Sequence, residues 1–165
     1  MKSDTMKKVK VLISAVLLIL VDQLTKYLAE DALKESGKLT MPVIPGLLEF
    51  SYLENPAAAF GLFGNVIWLV AALSLIVAVG IIVALFLYRN HTLFSLLASA
   101  LLMAGGIGNL VDRMTRGYVV DFIHVMFFDY IFNVADCCVT IGAVCLIAHY
   151  IVIIRREKLA ADSNA

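Results

Sequence analysis

The sequence predicts an all-α membrane protein with four transmembrane helices, and two observations lead to this fold class. Of the 165 residues, 62% are hydrophobic and only 16% are charged, whereas a soluble domain is about 45–50% apolar and about 25% charged. Four segments are also long and apolar enough to cross a bilayer, which takes about 20 residues at about 1.5 Å each. A soluble domain, a disordered chain and, with only three cysteines, a disulfide scaffold are therefore excluded.

The predicted spans form a single domain over residues 1–165. They are Val9–Leu28, Val66–Leu87, Thr92–Val111 and Ile131–Ile154. The first span resembles the apolar part of a signal peptide because lysines precede it, but no small-residue cleavage pattern follows. We therefore expect the first span to remain in the membrane.

Basic residues predict the orientation of the spans. Eight of the 13 lysines and arginines lie near the termini or in the short turn at residues 88–91, and five lie on the other side, at the outer end of the first span or in the two longer segments between spans. Cytoplasmic loops carry an excess of Lys and Arg, so both termini are predicted to be cytoplasmic. Acidic residues also number 13 and there is no basic tail, so no nucleic-acid partner is expected.

The segment between the first two spans, residues 30–65, is predicted to form a small β-structured cap on the extracytoplasmic side. Pro42, Pro45 and Gly46 interrupt this segment, and Leu48–Leu53 alternates loosely between apolar and polar residues. Such alternation is typical of a short strand with one wet face.

Ionisable residues gather at the predicted outer ends of the spans. A charge at the bilayer centre costs about 2.5–3.5 kcal/mol on insertion scales, so this cluster indicates a functional site near the membrane surface. Asp22 and Lys26 are four residues apart and share a helix face; they form either a self-contained salt bridge or one wall of the site. The charged residues at this depth are Asp22, Lys26, Asp112, Arg113, Asp121 and Asp136.

Two similar patterns occur at this depth. Asn109 precedes Asp112 by three residues, and Asn133 precedes Asp136 by three. Residues at this spacing lie on one helix face, so each amide is predicted to lie beside its own carboxylate. Three glycines precede the first pattern and serve either close helix packing or access for a substrate backbone: Gly105, Gly106 and Gly108.

The residue types at this depth favour acid–base chemistry by paired carboxylates. Ser51 lies in the cap, and Ser74, Ser95 and Ser99 lie in apolar runs. A zinc site requires several clustered His or Cys ligands, and His124 has no second one clustered with it. Cys137, Cys138 and Cys145 are interpreted as small buried residues. Two close aspartates share one proton, so one can activate water while the other protonates a carbonyl oxygen. No metal or other cofactor is expected. Asp121, in a predicted loop with apolar neighbours, is a candidate for this pair.

Two other classes of protein compete with this interpretation. Intramembrane aspartates also mark proton paths, so the chain is alternatively a small proton-coupled transporter or channel subunit. The cytoplasmic halves of the second and third spans contain no ionisable group, although a proton relay would need one. A non-catalytic scaffold is the other alternative, and it leaves the two Asn-x-x-Asp patterns unexplained.

Five motifs, in order along almost the whole chain, resemble those of the signal peptidase II family. They are Asp22-Gln-Leu-Thr-Lys26, Asn55-Pro-Ala-Ala-Ala-Phe60-Gly61, Gly105-Gly-Ile-Gly-Asn109-Leu-Val-Asp112-Arg113, Gly117-Tyr-Val-Val-Asp121-Phe122 and Phe132-Asn133-Val-Ala135-Asp136. Two positions depart from the family pattern. Ala57 stands where glycine is usual and would strain a backbone that needs positive φ, and Cys137 stands where serine is frequent.

The resemblance implies an intramembrane aspartic peptidase of the bacterial plasma membrane. In this family the substrate is a prolipoprotein that carries a diacylglyceryl group on a cysteine, and the cut falls on the N-terminal side of that cysteine. The catalytic pair of the family maps to Asp121 and Asp136, and a supporting aspartate maps to Asp112. Prolipoproteins and membrane lipids are therefore the expected partners.

Spacing alone does not separate Asp121 from Asp112 as the partner of Asp136. Arg113 follows Asp112 directly and is expected to keep that carboxylate ionised, and a permanently paired carboxylate is a poor proton shuttle. The other polar residues of the motifs are expected to hold the substrate backbone and the pair, or to support the outer end of the site: Asn55, Asn109, Arg113 and Asn133 in the first role, Asp22 and Lys26 in the second.

Overall fold

The computed structural model describes residues 2–56 and 67–163, and four long helices account for most of them. The helices are α1 (Lys2–Ala29), α2 (Ile67–Leu87), α3 (Leu93–Thr115) and α4 (Val134–Asp162). A π-helical segment, Glu30–Glu35, continues α1. Each of the four helices is long and apolar enough to cross a membrane, so the prediction of four candidate spans is confirmed.

A small antiparallel sheet adjoins the end of the bundle where α1 ends and α4 begins. Its strands, in spatial order, are β1 (Thr40–Ile44), β2 (Leu48–Asn55), β3 (Val119–Val125) and β4 (Ile131–Phe132). The strand predicted at residues 48–53 is confirmed and continues to residue 55. The fold is therefore mostly helical with a β-structured cap, and which side of a membrane the cap faces stays a prediction.

The sheet corrects two details of the sequence analysis. The cap is not confined to residues 30–65, because the connection between α3 and α4 supplies β3 and β4. Asp121 accordingly lies in a strand and not in a loop, where it is opposite Leu53 of β2. The physical reason is that β2 alone would expose an unpaired edge, and β3 pairs with it. Ala57 lies outside the described residues.

Helix α3 is the centre of the bundle and packs against α1, α2 and α4. An apolar cluster between α1, α2 and α3 contains Val11, Leu85 and Met103. A second cluster lies beneath the sheet, where Phe122 of β3 packs against Leu33 and, edge to face, against Phe50. The second cluster fixes the sheet to the end of the bundle and thereby places the residues of β3 beside the helix ends.

Two glycines of α3 allow its neighbours to approach closely. A Cβ atom at Gly105 would collide with the carbonyl oxygen of Ala135 in α4, and one at Gly108 would lie 2.7 Å from Oδ2 of Asp22 in α1. Gly106, by contrast, has only the carbonyl oxygen of Ser74, at 4.0 Å. The structure thus supports the packing interpretation for Gly105 and Gly108, and this close contact brings α1, α3 and α4 together at the polar end of the bundle.

Candidate active site

Lys26 is the centre of a buried polar cluster at this end of the bundle. Its side chain is completely buried, and its ammonium nitrogen lies 2.8 Å from Asp22 and 2.9 Å from Asp112. The same nitrogen donates a hydrogen bond of 2.9 Å to the amide oxygen of Asn109. The pair of Asp22 and Lys26 is therefore part of a larger network that joins α1 to α3.

Asp112 is held by partners other than the one predicted. Besides Lys26, its carboxylate accepts hydrogen bonds from Arg116, from Gln23 and from the backbone N–H of Val120 at the start of β3. The expectation that Arg113 pairs with Asp112 is corrected, because Arg113 Nη1 donates to the carbonyl oxygen of Asn109. On the helix, Arg116 is four residues from Asp112 and reaches it, whereas the adjacent Arg113 points along a different face.

The N-terminus of α4 is fixed by two side chains. Asn133 is the N-cap residue: its amide oxygen accepts from the backbone N–H of Asp136, and the Asp136 carboxylate accepts in return from the backbone N–H of Asn133. Asp22 of α1 accepts a further hydrogen bond, of 2.8 Å, from the N–H of Ala135. Such caps satisfy N–H groups that a helix leaves unpaired at its start, and here they also orient Asp136.

The side-chain amide nitrogens of Asn109 and Asn133 donate to carboxylates on other elements. Neither nitrogen donates to the aspartate that follows it by three residues in the sequence. Asn109 Nδ2 of α3 donates to Asp136 of α4 at 2.8 Å. Asn133 Nδ2 donates to Asp121 of β3 at 2.6 Å. The predicted pairing of each amide with its own aspartate is therefore wrong for Asn109. Asn133 does lie beside Asp136 and orients it, but through the capping box and not from amide nitrogen to carboxylate.

Asp121 is buried, with 2% of its surface exposed. Its two carboxylate oxygens accept from Asn133 and, at 2.8 Å, from Nδ2 of Asn55 in β2. Burial raises the pKa of Asp121 from 3.8 to about 7; the Asn55 hydrogen bond opposes this shift, and the nearby negative charge of Asp136 adds to it. A carboxyl group with such a pKa exchanges its proton near neutral pH, as acid–base catalysis requires.

Asn133 joins the two candidate catalytic residues. Its side-chain nitrogen holds Asp121, while its backbone nitrogen donates to Asp136 at 3.2 Å. Arg113 is mostly buried, and its positive charge acts on both carboxylates. The arrangement therefore presents two aspartates, one fixed amide between them and a cation nearby.

The structure brings all nine sequence-predicted site residues into this one region. Gln23 and Arg116 also belong to it, although sequence reasoning missed them. Gln23 donates to Asp22, to Asp112 and to the carbonyl oxygen of Gly108. Their positions in the sequence could have identified them, since Gln23 adjoins Asp22 and Arg116 follows Asp112 by one helical turn. Within the described residues, no buried side-chain nitrogen or oxygen lacks a hydrogen-bond partner.

His124 and the three cysteines, which the sequence did not assign to the catalytic pair, have the following surroundings. His124 pairs with Glu49 across the sheet at 2.8 Å. Cys138 is buried as predicted, but Cys137 and Cys145 are only partly buried. In residues 2–56 and 67–163, no three His, Cys, Asp or Glu side chains come together as metal ligands.

Four candidate spans and a buried cluster of carboxylates, amides and cations at one end of the bundle define the class of polytopic membrane proteins with an intramembrane polar site. Comparison with known proteins gives the family. The chain belongs to the signal peptidase II family, because the family model described as Signal peptidase (SPase) II matches residues 14–152. This is a family of proteases, so the protein is an enzyme.

Relatives and solved structures agree with this assignment. A lipoprotein signal peptidase of Streptococcus agalactiae serotype Ia is 36% identical over 147 residues, which cover 86% of this chain and 91% of the relative. One from Microcystis aeruginosa is 38% identical over 137 residues, which cover 82% and 87%. A bacterial membrane enzyme solved at 2.3 Å resolution has a TM-score of 0.78 and 30% identity, covering 90% of this chain and 89% of the other.

Proposed function

We propose that the protein removes signal peptides from bacterial prolipoproteins in the plasma membrane. The substrate carries a diacylglyceryl group on a cysteine, and the cleaved peptide bond is the one on the N-terminal side of that cysteine. Family membership supports the activity on lipoprotein precursors. The lipidated cysteine and the position of the cut are carried over from the resemblance of the motifs.

The observation that supports an aspartic mechanism is the link through Asn133. One residue holds Asp121 with its side chain and Asp136 with its backbone. The negative charge of Asp136 contributes to the raised pKa of Asp121, and two interacting carboxylates do not both ionise easily, so the pair retains one proton. The raised pKa of Asp121, about 7, favours Asp121 as the residue that carries this proton.

The hydrolytic step follows from this distribution of charge. Asp136 takes a proton from water while the water oxygen bonds to the scissile carbonyl carbon, and Asp121 gives its proton to the carbonyl oxygen. The resulting tetrahedral diol collapses when Asp136 passes its proton to the amide nitrogen and the C–N bond breaks. Asp121 then recovers a proton from the diol hydroxyl. Each carboxylate ends in the protonation state in which it began.

The surrounding residues have supporting roles in this proposal. Asn55 and Asn109 each donate to one catalytic carboxylate and so fix its orientation. Arg113 offers positive charge where negative charge develops on the carbonyl oxygen. Lys26, Asp22 and Asp112 fix the ends of α1, α3 and α4 against one another, and none of these three contributes a proton.

The site lies at one end of the spans, and we propose that this end faces the extracytoplasmic side. The excess of basic residues at the other end supports this orientation. A signal helix that crosses the membrane would end at the depth of the aspartates. Water reaches this depth without crossing the hydrocarbon centre.

The test replaces each proposed catalytic residue by its near-isostere. Asp121→Asn and Asp136→Asn should each abolish cleavage of a diacylglyceryl-modified precursor by the purified protein, because asparagine cannot exchange the required proton. Asp129→Asn is the matched control, since Asp129 is an exposed carboxylate in the connection between β3 and β4. This variant should cleave at the parent rate.

Folding must be checked in the same preparations. Equal thermal unfolding of Asp121→Asn and the parent would show that the loss is chemical. Turnover near the parent rate in either asparagine variant would contradict the proposed pair. If Asp112→Asn is inactive but folded and Asp121→Asn is active, Asp112 takes the place of Asp121.

A further inference from the structure

A second feature lies at the opposite end of the bundle, where α1 and α3 both begin. A cleft runs between these two helices and has a volume of about 480 Å³. Its walls are apolar side chains, among them Leu18 of α1 and Leu96, Leu97 and Leu101 of α3. None of the catalytic or supporting residues described above lines this cleft.

The mouth of the cleft is cationic. Lys7 and Lys10 line it and, three residues apart, share one face of α1. Among the described residues, Lys8 is engaged within the bundle, because it pairs with Asp4 at 2.9 Å and contacts Phe86 of α2. Within residues 2–56 and 67–163, Lys7 and Lys10 form no ion pair, and both side chains are exposed.

The length of the cleft fits one leaflet of a bilayer. On α1 it extends from Lys7 to Leu18, and eleven residues of helix rise about 16 Å. The hydrocarbon core of a bilayer is about 30 Å thick, so the cleft runs from the surface to about the middle. Its charged groups lie at the surface end, and below them the walls are apolar apart from Ser14, which matches the charged headgroup and apolar chain of a phospholipid.

We propose that the α1–α3 cleft binds an anionic glycerophospholipid of the leaflet opposite the active site. One acyl chain lies along the apolar walls, and the negatively charged headgroup is bound by Lys7 and Lys10. Charge complementarity selects the occupant, since the two exposed ammonium groups at the mouth favour an anionic headgroup over a zwitterionic one. The bound lipid fills the space between the helices and so stabilises the packing of α1 on α3.

The test measures lipid binding by the full chain in detergent micelles, using native mass spectrometry with phosphatidylglycerol and phosphatidylcholine of identical acyl chains. Each basic residue near an anionic headgroup contributes about fivefold to affinity. Replacing both Lys7→Gln and Lys10→Gln should therefore weaken phosphatidylglycerol binding about 25-fold and leave phosphatidylcholine binding unchanged. The matched control, Arg155→Gln with Lys158→Gln, removes two exposed charges of the same spacing from the end of α4 and should leave both affinities unchanged.

A second variant tests the apolar part of the cleft. Ser14 lines it and is exposed, so Ser14→Phe should fill the space and weaken the binding of both lipids without disturbing the core. Equal phosphatidylglycerol affinity in the Lys7/Lys10 variant and the parent would overturn the proposal, as would an equal loss in the α4 control. A change in the dimer population of Ser14→Phe, with lipid binding unaltered, would show that the cleft instead docks a helix of a second copy.

Discussion

Replacing Lys26 with methionine tests whether the buried network holds the polar end of the bundle together. Lys26 is completely buried, and its nitrogen lies 2.8–2.9 Å from Asp22, Asp112 and Asn109. Methionine nearly fills the same space but leaves two buried carboxylates without their shared cation. Removal of one partner from a buried ion pair costs about 3–5 kcal/mol, so we expect Lys26→Met to lower the free energy of unfolding by about this amount.

The assay is chemical unfolding of the purified protein in detergent micelles, followed by circular dichroism. Lys34→Met is the matched control, because Lys34 also contacts two carboxylates, Glu30 and Glu54, but 43% of its side chain is exposed. Surface ion pairs contribute little, so this variant should unfold like the parent. Lys26→Met combined with Asp22→Asn and Asp112→Asn should recover much of the lost stability, since it removes the uncompensated charges.

Two results would refute this reasoning. An unfolding free energy of Lys26→Met within about 1 kcal/mol of the parent would show that water or Arg116 neutralises the two carboxylates in place of Lys26. A triple variant that is less stable than Lys26→Met alone would show that the aspartates stabilise the fold by their hydrogen bonds to α4 and β3 rather than through Lys26.

Three further predictions concern packing, pH and substrate. Gly105→Ala should destabilise the protein by about 1–3 kcal/mol because the added methyl group meets the Ala135 carbonyl oxygen, whereas Gly106→Ala should cost far less; thermal unfolding compares them. The rate of cleavage should fall as the pH rises above about 7, since Asp121, with its pKa near 7, then loses the proton that it donates; an unchanged rate up to pH 9 would contradict this role. An unlipidated precursor should be cleaved much more slowly than its diacylglyceryl form, because each buried methylene adds about 0.8 kcal/mol of membrane anchoring; equal rates would contradict the proposed substrate.

The sequence alone determined the parts of the molecule that depend on local composition. Four apolar segments of sufficient length predicted the four candidate spans, and the alternation at Leu48–Leu53 predicted a strand that the structure contains. The cost of charges in a membrane predicted that the ionisable residues would share one end of the bundle. Hydrophobicity and periodicity are properties of a single segment, so they predict a helix or a strand without knowledge of the segments that pack against it.

The partners of the polar groups depended on tertiary structure. Spacing predicted that the amides of Asn109 and Asn133 would each lie beside the carboxylate three residues along. The Asn109 amide instead donates to Asp136, and the Asn133 amide nitrogen donates to Asp121 while its backbone N–H bonds to Asp136. Likewise Arg116, and not Arg113, reaches Asp112. Side-chain partners across an interface depend on the rotation and depth of each helix, which the packing of all the helices sets together.

The position of Asp121 shows the same division most directly. Its apolar neighbours were visible in the sequence, but its place in β3 arises because β2, more than 60 residues earlier, offers an edge for pairing. That pairing brings Asn55 to one carboxylate oxygen while the start of α4 brings Asn133 to the other. The sequence thus determined which residue types gather at this end of the bundle. Tertiary structure decided which carboxylate is buried between two amides, because burial and strand register arise only from contacts between distant segments.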